Sequence, residues 1–128
     1  MTPELMYLVW SVALTLVLVV IAVAGATAEV GLPKLAGNRD GMPEMTGWAG
    51  RAARAHRNML ESLVLFTGLV LAAHLAGVHT GMTLLGAQLF FWGRVTHATF
   101  YIAGIPWLRT AAWGVSIAGL VLIFVQLI

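Results

Sequence analysis

Arg51, Arg54, Arg57, Asn58 and Glu61 recur at intervals of one helical turn or close to it, and Arg94, His97 and Tyr101 do the same further along. These side chains suit the capture of an anion. Guanidinium groups hold carboxylates and phosphates through paired charge-assisted hydrogen bonds. Drawn on a helix, the first group covers about 120° of its surface, and Leu65, Leu69 and Ala72 continue the stripe. The second group, with Phe90, falls within about 60°. Both lie in apolar surroundings, and a charge at membrane depth costs on the order of 3 kcal/mol on insertion scales. Such residues therefore face a bundle interior and find partners. Glu61, one turn from Arg57, is placed to meet Arg94 as well, but one carboxylate cannot neutralise four arginines, so the cluster lacks an anion. The plainer reading makes Arg51, Arg54 and Arg57 anchors that reach phospholipid headgroups, and it suits Arg51 best. It leaves Asn58, Glu61, His97 and Tyr101 without a reason for their register.

Other chemistry finds little support. The chain has no cysteine, which removes disulfides, thiolate ligands and cysteine nucleophiles. Four histidines without paired carboxylates make no metal site. His56 lies off the polar stripe, and His74 and His79 fall near the other membrane face. No P-loop, dinucleotide fingerprint or serine elbow occurs. The pI of 9.7 reflects a net charge of only +2 without a basic tract, which argues against nucleic acid.

The elements that must position these residues follow from composition. Of 128 residues, 60% are hydrophobic and 9% charged, and the mean hydropathy is +0.92. Soluble domains carry roughly a quarter charged residues. The reading is an all-α integral membrane protein, one four-helix transmembrane bundle over residues 1–128, with helices over about 4–29, 47–77, 82–103 and 107–128. Thr2 and Pro3 open the first. Its length exceeds a signal-peptide core, so it is expected to stay in place. Residues 29–47, rich in Gly and Pro, read as a loop, and Gly104 and Pro106 separate the last two helices. The basic residues all mark the side of that loop, which the positive-inside rule places in the cytoplasm.

The run RAARAHRNMLE from Arg51 to Glu61, GRVTHATFY from Gly93 to Tyr101 and IPWLRT from Ile105 to Thr110 resemble the membrane-associated proteins in eicosanoid and glutathione metabolism. That family, MAPEG, includes microsomal glutathione transferases and prostaglandin E synthase. The resemblance implies a homotrimer with glutathione, the cosubstrate, held between subunits. It implies that Arg57, Asn58 and Glu61 contact glutathione, that Arg54 braces the interface, and that His97 and Tyr101 complete the site. Arg109 resembles the arginine facing the thiol, with Thr110 where some members have serine. The spacing from Tyr101 to Arg109 varies among relatives, so Arg94 and Arg109 both stand as candidate catalytic residues. Ser62 replaces a tyrosine of the leukotriene-forming members. The expected activity is a glutathione transferase or peroxidase acting on lipophilic electrophiles. The alternative is a non-catalytic lipid-binding or partner-scaffolding member; a small transporter fits less well, because its paired helix interruptions are missing.

Overall fold

Lipid offers no partner to backbone N–H and C=O groups, so long uncharged runs must satisfy them internally as helix. The computed structural model describes residues 1–128. It contains α1 (Pro3–Val30), α2 (Leu32–Ala36), α3 (Gly47–Ala76), α4 (Gly81–Ala103) and α5 (Pro106–Leu127), and no strand. The four long helices match the expected bundle. The segment read as a continuous loop differs, since it holds the five-residue α2, framed by Gly31 and Gly37.

Each boundary has a local cause. Thr2 caps α1 by accepting from the Leu5 amide at 3.3 Å, with Pro3 in the first turn. Gly77 and Gly104 end α3 and α4 in the left-handed conformation, at φ 71° and 81°. At the second of these, Gly104 N donates to Tyr101 O and Ile105 N to Phe100 O, which closes the helix end. Thr80 and Thr83 form a reciprocal cap at the start of α4.

α1, α3 and α5 are each long and apolar enough to cross a membrane. α4 has the length but includes Gln88, Arg94 and His97. It lies beside α5 along much of its course. A Cβ built on Gly86 would come within 2.6 Å of the Gly119 carbonyl oxygen, and one on Gly93 within 3.0 Å of Ser116 N. α4 therefore shares the depth of its neighbours, and the chain is an integral membrane protein. Between the helices, Phe66 and Phe90 stack with ring centroids 4.0 Å apart, among buried Leu18, Met59, Val70 and Ile123.

The two ends of the bundle are fastened differently. At the end away from the arginines, buried Glu4 accepts from Thr83 Oγ1 at 2.9 Å, and Thr80 Oγ1 donates to Gln126 Oε1 at 3.2 Å. At the arginine end, the strap from Gly31 to Thr46 is clipped at its base. The Glu29 carboxylate accepts from Thr46 N at 3.0 and 3.1 Å and from the Thr46 hydroxyl. Thr46 is the N-cap of α3, so the carboxylate also meets the positive end of that helix.

Candidate functional site

Three helices bring together a polar cluster that extends from the end of α4 to about 14 Å inside it, judged by helical rise from Ala103 back to Arg94. Arg94 is only 1% exposed, and its Nη2 donates to Asn58 Oδ1 of α3 at 2.6 Å. His97, one turn further on, is 3% exposed, and its ring centroid lies 5.4 Å from that of Tyr101. Arg109, in the first turn of α5, carries its guanidinium carbon 4.2 Å from the centre of the Tyr101 ring. That is a cation–π contact. Asn58, Arg94, His97, Tyr101 and Arg109 thus form one chain of neighbours.

The cluster is under-satisfied. Arg94 Nε, Arg94 Nη1 and His97 Nδ1 are buried without hydrogen-bond partners, and each such group normally costs about 1 to 3 kcal/mol. The partner of Arg94 is Asn58, whereas the sequence suggested Glu61. Glu61 is exposed on the outer face of α3.

The stripe on α3 is split between two environments. Asn58, at one edge, faces α4. Arg54 and Arg57, toward the other edge, line a concavity of about 620 Å³ bounded by α1, α2 and the strap. Asn58 and Arg57 are adjacent in sequence and therefore about 100° apart on the helix, enough to face different neighbours. Thr110 is exposed, and its hydroxyl donates to the Pro106 carbonyl.

Two arginines to which the resemblance gives no role also occupy informative places. Arg51 Nε donates to Ile102 O at 2.9 Å, so this residue bridges α3 to the last turn of α4 and satisfies one of its terminal carbonyls. Its helical register with Asn58 was the available sign. Arg39 lines the concavity with Arg54 and Arg57, and no periodicity in the strap points to it. A separate apolar groove of about 470 Å³ runs between α3 and α5, lined by Val64, Leu65, Leu69, Ile117, Val121 and Phe124 among others.

A comparison with family models matches the MAPEG family over residues 5–128. The chain belongs to the MAPEG family. Searches among curated proteins and among solved structures found no match. Family membership makes this MAPEG protein a membrane protein of a glutathione-related group, and its reaction must be argued from its own residues.

Proposed function

We propose that this MAPEG protein is a glutathione-dependent transferase or peroxidase for lipophilic electrophiles. The observation that carries the reading is the pair of arginines in the cluster: Arg94 buried with two unbonded N–H groups, and Arg109 resting on an aromatic ring rather than on a carboxylate. A site with surplus guanidinium and deficient acceptors suits a ligand bearing two carboxylates and a thiol. Glutathione supplies the nucleophilic sulfur, whose pKa near 8.5 falls beside an arginine. The roles of the two arginines separate by burial. Arg109, half-buried at the mouth, faces the sulfur, while Arg94, deeper in the bundle, holds Asn58 through Nη2 and offers its unbonded Nε and Nη1 to a ligand carboxylate. Arg57, Asn58 and Glu61 of α3 hold the ligand's charged ends, and the thiol proton leaves to solvent. The electrophile arrives along the α3–α5 groove.

The same reading includes a homotrimer, with the arginine end facing the cytoplasm. In a single protomer Arg54, Arg57 and Glu61 are exposed on a helix that also exposes Val64 and Leu65. Burying that face against other copies removes charge from contact with lipid. The family resemblance supports three copies.

Addition of glutathione to the purified protein near neutral pH is expected to give ultraviolet thiolate absorbance and to release a proton. Arg109→Leu is expected to keep binding and lose the absorbance. Normal absorbance in that variant would refute the role of Arg109. No binding of glutathione to the intact protein would refute the reading and favour a lipid-binding scaffold.

A further inference from the structure

The turn that joins α4 to α5 carries a carbonyl that its own backbone cannot satisfy. In a continuing helix, Ile102 O would accept from an amide three or four residues further on. The Ile105 amide turns back to Phe100 O, and the next residue is Pro106, which has no N–H. Ile102 O is left for a side chain, and Arg51 of α3 supplies the donor, its Nε lying 2.9 Å away. The arginine also runs along the turn, since a Cβ built on Gly104 would come 3.5 Å from Arg51 Nε and 3.6 Å from its Cζ. α3 and α4 therefore share two hydrogen bonds, Asn58 with Arg94 and Arg51 with Ile102, about 12 Å apart along α4 by helical rise. The first braces the deep end of the polar cluster, and the second braces its mouth.

What the outer brace controls is the approach of Arg109 to Tyr101. Tyr101 immediately precedes Ile102, and Arg109 N donates to Ile105 O at 3.3 Å, so both members of the pair are attached to the segment that Arg51 holds. The Arg109 guanidinium rests on the Tyr101 ring at 4.2 Å, and a cation–π contact is too weak to fix a helix end by itself. We propose that Arg51 is a positioning residue for thiolate activation, holding the α4–α5 turn through Ile102 O so that Arg109 stays beside the ligand's sulfur. This inference rests on the reading of Arg109 given above. Arg51 and Asn58 are two turns apart and about 20° from one another around α3, so Arg51 faces α4 as Asn58 does. Its part is played by the N–H and not by the charge.

Two uncharged variants separate the bond from the charge. Glutamine carries an amide nitrogen where arginine carries Nε, so Arg51→Gln keeps the donor, whereas Arg51→Met fills similar space without one. With glutathione saturating the purified protein, the ultraviolet thiolate absorbance is titrated against pH. Arg51→Met is expected to raise the thiol pKa by about one unit, which lowers the thiolate fraction about tenfold on the acid side of the titration. Arg51→Gln should titrate as the unaltered protein does, and both variants should keep their affinity for glutathione. Amide hydrogen exchange in the ligand-free protein gives a readout that needs no thiol: residues 102–109 should exchange faster in Arg51→Met and at the original rate in Arg51→Gln. An unshifted pKa or unchanged exchange in Arg51→Met would overturn the proposal, and so would equal pKa shifts in the two variants, which would make the charge the active property. Any of these results, with a normal thiolate signal from the unaltered protein, refutes the role of Arg51 alone. No thiolate signal from the unaltered protein refutes the reading of Arg109 and this inference with it.

Discussion

A guanidinium at Arg94 works against stability. It is sealed in the bundle with one hydrogen bond and two unbonded donors, a combination that an apolar side chain of similar size usually improves. Arg94→Met is therefore expected to unfold in detergent at the same temperature or higher, while losing the ordered Asn58 and with it glutathione affinity. A large fall in the unfolding temperature would instead make Arg94 a structural keystone. At this scale the sequence was partly legible. Helical spacing identified Arg94, His97 and Tyr101 as one face, and these side chains do lie together. It could not show that Asn58 and Arg57 face different neighbours, because periodicity gives an angle about a helix's own axis and nothing about where other helices stand. Arg39 was out of reach for another reason: a left-handed residue in the strap directs it, and no hydrophobic pattern encodes that turn.

Helix pairs in lipid approach closely where side chains are small, and α4 and α5 do so at Gly86, Gly93, Ser116 and Gly119. A Cβ on Gly119 would lie 2.5 Å from the Gly86 carbonyl oxygen and 2.8 Å from Phe90 N, both backbone atoms that cannot step aside. Gly119→Val is expected to destabilise the bundle by roughly 1 to 3 kcal/mol, as overpacking does, measured as a lower unfolding temperature. Val121→Ala, on the exposed face of α5, serves as the control and should change little. The strap carries its own expectation. Glu29→Ala removes the acceptor for Thr46, so limited proteolysis between Gly37 and Gly41 should accelerate while cleavage elsewhere does not. Long helices were legible because each carries a sustained apolar run and a recognisable cap or breaker. α2 was not, since five residues complete barely more than one turn and leave no periodicity to read.

Taken whole, the molecule has one end built from arginines and a strap and another built from short polar ties. If the arginine end faces the cytoplasm, single cysteines placed between Gly77 and Gly81 should react with an impermeant reagent added outside intact cells. Reaction only after the cytoplasmic side is opened would reverse the orientation. The assembly should register three protomers by mass in mild detergent, and a monomer that still binds glutathione would exclude the interfacial site. The tie at the far end also bears on biosynthesis. Glu4 belongs to α1, which is synthesised before α4, yet its partner Thr83 belongs to α4 and the neighbouring Thr80 joins Gln126 of α5. α1 must wait with an unpartnered carboxylate until α4 has been made, so insertion of α1 and completion of that end are separate events in time. A nascent chain cut short before α4 should remain recognisable to membrane quality control as unfinished.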